Sequence, residues 1–200
     1  MKRFYIIYIF LLLPLLMYAQ HSNKAKEILD KTATSLEKAK GIRATFKGTS
    51  TGTLIMLEEK FHLNSEGIQT WYDGKTQWSY IEENEEVNIS TPTLSELTYI
   101  NPYLLFKSYT NGYDYIYKGE DYKYEKKGHV IKLIPKQSNE TNITIFITEN
   151  YIPLSLKIEQ ENQKAFEIIV SSIQLNQNYT DDTFRFNNKM YPNTEIIDLR

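Results

Sequence analysis

The 200-residue sequence contains no cysteine. This excludes disulfide frameworks, thiolate zinc sites, iron–sulfur clusters and cysteine nucleophiles. It also excludes a chain that is anchored through a lipid-modified cysteine. Histidine is scarce too, and His21, His62 and His129 show no spacing typical of metal ligands. We therefore expect neither a metal site nor a cofactor.

Glycine and proline are also few, at 8 and 6 residues, which excludes collagen-like and disordered classes. The composition that remains is 41% hydrophobic and 24% charged, with a mean hydropathy of -0.48. Such a chain predicts one soluble domain with a substantial core. Tyrosine (16) and phenylalanine (9) dominate the aromatic residues, which favours β-structure.

The first 19 residues have the pattern of a secretory signal peptide. Lys2 and Arg3 precede an apolar run that ends near Met17, and Ala19 offers a small residue at the cleavage point. Cleavage would leave residues 20–200 as a single domain with 21 basic and 25 acidic residues, a net charge of -4. We expect export to the periplasm, and no nucleic-acid partner for this mildly acidic chain.

One amphipathic helix is predicted over residues 24–40, because apolar residues recur there at spacings of three and four. From Arg43 onward, short runs rich in Thr, Tyr, Ile and Phe predict an antiparallel sheet. Asp73-Gly74 indicates a tight type I′ hairpin, and Lys127-Gly128 and Glu149-Asn150 indicate further reversals. The predicted strands include 113–118, 121–126 and 182–186.

Residues 93–109 interrupt the β pattern. Their apolar positions follow helical spacing on either side of Asn101-Pro102, which predicts two short helices inserted between strands. The resulting fold class is mainly β with helices (α+β).

Several strand-like segments carry bulky apolar residues on both faces, so both faces of the sheet need a cover. Two interpretations follow. In the first, the sheet rolls into a small barrel filled by its own side chains. In the second, an incomplete barrel closed by helices encloses a cavity for an apolar ligand.

Two other functions can be read from the polar residues. Carboxylates such as Glu82, Glu86 and Asp121 could serve a secreted hydrolase, which needs a facing pair. The tyrosines of 113–124 alternate along the chain and could stack sugars in a glycan-binding module. Motifs for acyl or phosphoryl transfer are absent from the sequence.

The order of motifs along the chain resembles a known family. Gly41 to Phe46 follows the first helix, Lys60-Phe61-His62-Leu63 comes next, and Asp73-Gly74-Lys75-Thr76-Gln77-Trp78-Ser79-Tyr80 is the most specific piece. A closing Phe184-Arg185-Phe186 completes the series. Together these motifs resemble the periplasmic outer-membrane lipoprotein carriers, the LolA family, over nearly the whole predicted mature chain.

The resemblance implies an incomplete, strongly curved antiparallel β-barrel with a helical lid over a hydrophobic cavity. The cavity would receive acyl chains of lipoproteins from an inner-membrane ABC-type releasing complex, and the carrier would deliver them to an outer-membrane acceptor as a monomeric, non-enzymatic chaperone. The candidate cavity residues are Phe46, Leu54, Met56, Phe61, Trp71 and Trp78. The candidate lid residues are Leu94, Leu97, Ile100, Leu104 and Phe106.

One departure from the family concerns the lid. Better-known carriers have an Arg-Pro before the Phe-x-Trp strand, and that arginine holds the lid closed. This sequence has Leu57-Glu58-Glu59-Lys60 at the corresponding place and Leu63 instead of the tryptophan. Lys60 and Arg43 are therefore the candidates for locking the lid, although an ammonium group cannot reproduce the guanidinium fork.

Overall fold

The computed structural model describes residues 22–137, 141–159 and 163–200, and the predicted signal peptide lies outside them. In this part of the chain, helix α1 includes residues 22–38, and α2 and α3 span Leu94–Ile100 and Pro102–Gly112. The strands are β1 Ile42–Gly48, β2 Gly52–Leu57, β3 Lys60–Ser65, β4 Ile68–Tyr72, β5 Gln77–Ile81, β6 Glu86–Ser90, β7 Tyr113–Lys123, β8 Lys126–Pro135, β9 Asn142–Thr148, β10 Pro153–Glu159, β11 Phe166–Gln174 and β12 Glu195–Asp198.

These strands form one open, strongly curved sheet in the order β12-β6-β5-β4-β3-β2-β1-β11-β10-β9-β8-β7. Neighbouring strands pair antiparallel, except β12, which returns beside β6 in parallel. The predicted α+β class and the incomplete antiparallel barrel are confirmed. Short connections make this topology possible, because they join adjacent antiparallel strands without crossover helices.

The main core lies between the sheet and the three helices. Buried side chains of α1, including Ile28 and Leu29, form one cluster with Leu105 and Phe106 of α3 and with strand residues such as Ile145. We call the side of the sheet that carries this cluster the inner face and the opposite side the outer face. Both faces are apolar in part, which explains why the sequence pattern does not alternate cleanly.

A second cluster lies on the outer face of β4 to β6. Trp71, Tyr80 and Val87 are buried there, and Phe186 and Tyr191 of the C-terminal segment pack over them. This segment contains two 3₁₀ turns, Asp181–Phe184 and Asn188–Met190. The strand predicted at 182–186 is therefore wrong: the chain turns at this point so that Phe184 and Phe186 can reach the sheet from outside.

The turn predicted at Glu149-Asn150 is confirmed, and the other two turn predictions need correction. The Asp73-Gly74 reversal is a four-residue loop rather than a two-residue one, with the Asp73 carboxylate accepting from the Lys75 and Thr76 amides. Tyr113–Lys123 is one strand with a bulge before Gly119, and it reverses at Tyr124 and not at Gly128. Gly128 lies within β8, where a Cβ would stand 2.3 Å from the Ile147 carbonyl oxygen.

Candidate functional site

A cavity of about 270 Å³ opens on the inner face beneath the junction of α2 and α3. Its walls come from β1, β2, β3, β10 and β11, from the end of α1 and from the lid helices. The lining residues are Leu36, Ile42, Ala44, Phe46, Ser50, Leu54, Met56, Leu63, Ser65, Tyr99, Ile100, Pro102, Pro153, Leu156, Phe166, Ile168, Val170 and Ile173.

Strand register explains why these residues meet. Ala44 pairs with Leu54 on one side and with Ile173 on the other, so their side chains stand in one row across the inner face. Leu63 continues the row on β3. Because alternate residues of a strand point the same way, the same strands also supply Phe46 and Met56.

The chemistry of the wall is uniform. None of its residues is charged, and only Ser50, Ser65 and Tyr99 have a polar side-chain atom. Tyr99 and Phe166 are more than one third exposed, so they mark the rim of an opening to solvent. Such a cavity can hold an apolar chain.

The two lid helices are fixed at their junction. Asn101 is fully buried, and its side-chain amide donates to the carbonyl oxygens of Glu58 and Glu59 at 3.1 and 3.0 Å. Its Oδ1 accepts from the Tyr103 amide at 2.9 Å and thereby caps α3, with Pro102 in the first turn. One residue thus ends α2 through its backbone N–H, caps α3 through its side chain, and holds both helices against the turn between β2 and β3.

Each lid helix has a further stabilising contact, within the helix for α2 and to α1 for α3. At the start of α2, Thr93 and Glu96 form a capping box, and Glu96 has a lowered pKa because it accepts from the Thr93 amide. Near the end of α3, the Tyr109 hydroxyl donates to Asp30 of α1 at 2.7 Å. Burial and this hydrogen bond raise the pKa of Tyr109.

Four of the predicted site residues line the cavity, namely Phe46, Leu54, Met56 and Ile100. Phe61 is buried in the main core beside them, stacked on Tyr72 at 5.6 Å between ring centroids. Leu97, Leu104 and Phe106 are buried in that core as well, where they attach the lid to the sheet. Leu94 is 56% exposed at the start of α2.

Trp71 and Trp78 lie elsewhere. They pair with each other across β4 and β5 and belong to the cluster on the outer face, away from the cavity. The inner positions of these strands are held by their neighbours Tyr72 and Gln77. Because side chains alternate along a strand, a shift of one residue exchanges the two sets.

The two candidate locking residues lie at different places: Lys60 directly follows the turn that Asn101 contacts, and Arg43 lies on β1. Lys60 forms an ion pair with Asp181 of the C-terminal segment at 2.6 Å. Arg43 is exposed on the outer face, at a position paired with Ile55. A side-chain contact between the lid junction and the sheet is made by Asn101, which the sequence pattern indicates only as a helix break. An Asn before Pro at a helix start is a capping signal that could have drawn attention to it.

The structure also shows where the tyrosines and carboxylates of the two alternative functions lie. Tyr113, Tyr115 and Tyr117 face the main core, and Tyr117 contacts Nδ1 of His129, so these three do not form an open sugar platform. Among the carboxylates, Glu86 lies on β6 and Asp121 on β7, near opposite ends of the strand order. In the described residues, no three His, Asp or Glu side chains gather as metal ligands.

Comparison with known proteins finds a family whose profile matches this chain. The sequence profile described as "Outer membrane lipoprotein carrier protein LolA" matches residues 15–163. Curated proteins gave no match. No helix in the described residues is long and apolar enough to cross a membrane.

Solved structures share the fold at low sequence identity. An uncharacterized conserved protein from Thermus thermophilus is 18% identical, with a TM-score of 0.63 over 88% of this chain and 99% of that one. The lipoprotein LppX from Mycobacterium tuberculosis is 10% identical, with a TM-score of 0.51 over 80% of this chain and 99% of that one.

Proposed function

Because the chain belongs to the LolA family of outer membrane lipoprotein carrier proteins, we propose that it binds the acyl chains of lipoproteins in the cavity beneath its lid. The observation that carries the proposal is the uncharged apolar wall, which is closed on one side by two short helices. The protein would act as a periplasmic carrier and chaperone, without catalytic activity or cofactor.

The physical need for a carrier follows from the cost of exposing hydrocarbon. At about 0.8 kcal/mol for each methylene, a sixteen-carbon chain costs about 12 kcal/mol to expose to water. An acylated protein therefore does not cross an aqueous compartment unaided. A cavity without fixed polar partners can accept such a chain and can also release it.

The proposed roles follow from position. Phe46, Leu54 and Met56 would contact the acyl chain directly, and Phe61 would support the wall from behind. Ile100 would contact the chain from the lid, while Leu97, Leu104 and Phe106 hold the lid on the core. Opening would separate the Asn101 junction from the turn at Glu58 and Glu59.

Transfer requires partners at both ends of the route. We propose that the monomer, exported by the signal peptide predicted at residues 1–19, receives acylated lipoproteins from an inner-membrane ABC-type releasing complex. It would deliver them to an acceptor at the outer membrane. The family supports this route.

A matched pair of variants tests the cavity. Leu54 points into the cavity and its neighbour Ile55 points to the outer face, so Leu54→Trp should fill the cavity while Ile55→Trp leaves it open. We expect the wild-type protein to bind an environment-sensitive apolar dye and to copurify with lipid or lipoprotein. Leu54→Trp should weaken dye binding at least tenfold, and Ile55→Trp should leave it within twofold. Absence of both dye binding and copurified lipid in the wild type would overturn the proposal.

A further inference from the structure

The inner face changes character beside the cavity. Five of its positions on β4, β5 and β6 carry neutral polar side chains, which we call the polar strip: Thr70, Gln77, Ser79, Asn88 and Ser90. The other inner positions of these strands are Ile68, Tyr72, Ile81 and Glu86. Within the strip, Thr70 is buried and the other four residues are half-buried. The strip is therefore partly shielded from water and still reachable.

Strand register makes the polar strip continuous with the cavity wall. Leu63, which lines the cavity, pairs with Thr70, which pairs with Ser79, which pairs with Asn88. A second row runs parallel to the first, from Met56 in the cavity wall through Phe61 and Tyr72 to Gln77 and Ser90. Both rows thus change from apolar to hydrogen-bonding side chains. The first row changes between β3 and β4, and the second between β4 and β5.

The polarity of the strip is not what packing of these strands requires. The large aromatic residues Trp71 and Tyr80 point to the outer face, where Phe186 and Tyr191 cover them, while Tyr72 joins the main core on the inner face. Elsewhere in the sheet, the inner face carries the main core. On β4 to β6, the five residues of the polar strip give the inner face hydrogen-bonding capacity that the core does not use.

Hydrogen bonds within the polar strip are incomplete. Ser79 meets Thr70 and Gln77 only at 3.4 Å, a long distance for such bonds. The Gln77 Oε1 atom is enclosed and has no hydrogen-bond partner among the described residues. An enclosed acceptor without a partner costs free energy, and a donor on a ligand would remove that cost.

We propose that the polar strip binds the neutral ester and amide groups by which acyl chains are linked to the rest of the ligand. This inference rests on the proposed function, because the acyl chains themselves would lie in the adjoining cavity. The hydroxyl and amide side chains can both donate to carbonyls and accept from N–H groups. An anionic headgroup fits less well, since no strip residue is charged and Glu86 lies two residues from Asn88 on the same strand.

The experiment compares a ligand that needs only the cavity with ligands that also carry a polar linkage. Binding of the apolar dye reports the cavity. Displacement of the dye by an N-palmitoyl dipeptide amide and by dioctanoylglycerol reports the polar strip. The test variant is Gln77→Leu with Asn88→Leu, and its control is Gln69→Leu with Asn64→Leu, the same substitutions at outer positions that pair across β3 and β4.

In the test variant, we expect at least one competitor to lose about tenfold in affinity, the size expected for one or two lost hydrogen bonds, while dye binding stays within twofold. The competitor that loses more identifies the linkage as that of an acylated peptide or of a free neutral lipid. The outer-face control should change neither measurement. The milder variant Ser79→Ala should lower the affinity for the same competitor a few-fold. It keeps the proposal testable if the double variant does not fold.

If both competitors displaced the dye from the test variant as well as from the wild type, the proposal for the polar strip would be overturned. The cavity proposal would be unaffected. An equal loss of dye and competitor binding would also overturn the proposal for the polar strip, because the strip would then act only on the fold. A wild-type protein that binds neither dye nor competitor would refute the proposed function itself.

Discussion

The Asn101 side-chain amide donates to the Glu58 carbonyl oxygen at 3.1 Å, and the same nitrogen donates to Glu59 at 3.0 Å. The junction of the two lid helices is thereby held on the turn between β2 and β3, the segment in which the sequence lacks the family Arg-Pro. The polar contact is therefore supplied from the lid side and not from the barrel side.

Asn101→Ala should destabilise the protein by about 2–4 kcal/mol, because two hydrogen bonds to the turn and one helix cap are lost at a buried position. Asn101→Asp keeps an acceptor for the Tyr103 amide but removes the donor, so it isolates the contact to the turn. Urea unfolding measures the stability, and amide exchange across residues 94–112 measures lid opening.

The matched control is Asn111→Ala on the exposed end of α3, which should change neither measurement. If Asn101→Asp exchanged its lid amides as slowly as the wild type, the amide contact would not be what holds the lid.

Local chemistry allowed the break at Asn101-Pro102 to be predicted, because a proline cannot continue the hydrogen bonding of a preceding helix. The partner of Asn101 could not be predicted in the same way. Glu58 is 43 residues away, and only the folded sheet brings its carbonyl to the lid. The same limit applies to β12, whose parallel pairing with β6 follows from the path of the C-terminal segment.

The inward face of β4 and β5 could not be read from the sequence either. Trp71 and Tyr72 are adjacent and both buried, so hydrophobicity does not say which of them points to the cavity side. The decision is made by Phe186 and Tyr191, more than 100 residues later, which cover the tryptophan side. By contrast, Phe46 lies between Thr45 and Lys47, so its side is readable from period two. Leu54 and Met56 stand in an unbroken apolar run, and their side is decided by the pairing of β2 with β1.

Tyr191→Ala should destabilise the fold by about 2 kcal/mol, because Tyr191 contacts the rings of Trp71, Tyr80 and Phe186. Dye binding by the remaining folded protein should not change, since this cluster lies on the outer face. Thermal unfolding and dye titration give the two values. Met190→Ala is the control, as Met190 is 71% exposed; a loss of dye affinity in Tyr191→Ala would place the cluster in the ligand site instead.

Tyr109→Phe should cost about 1 kcal/mol at pH 6, because the hydrogen bond between α3 and Asp30 is lost at a half-exposed carboxylate. Burial disfavours ionisation of Asp30, but hydrogen bonds from Lys26 and Tyr109 outweigh it and lower its pKa. A carboxyl group whose pKa is lower in the folded protein than in the unfolded chain stabilises the fold at pH values above its unfolded pKa. This stabilisation is lost as the pH falls through its folded pKa.

The difference in stability between wild type and Tyr109→Phe should therefore shrink as the pH falls below about 4. Urea unfolding at several pH values measures it. Tyr122→Phe, at a 68% exposed tyrosine, should be neutral throughout. A difference that stays constant down to pH 3 would mean that the charge of Asp30 does not contribute.

His62 predicts a second pH dependence of the free energy of unfolding. Here burial disfavours the charged form of the side chain, whereas at Asp30 hydrogen bonds favour it. The His62 ring stacks on Trp71, with 4.8 Å between ring centroids. Burial lowers the pKa of His62, a hydrogen bond with Gln69 partly opposes this shift, and the positive charge of Arg43 adds to it. The unfolded chain therefore binds a proton more readily than the folded one. Stability should fall as the pH drops below about 6.5 and level off below the folded pKa.

His62→Phe keeps an aromatic ring against Trp71 but cannot be protonated, so it should flatten the decline of stability between pH 7 and 5. Urea unfolding across this range gives the slope. His129 also has a pKa lowered by burial, so part of the slope should persist in the single variant and disappear when His129→Phe is added. A slope that His62→Phe leaves unchanged would show that the ring is protonated as easily in the folded protein as in the unfolded chain, and that its contact with Trp71 does not exclude the charge.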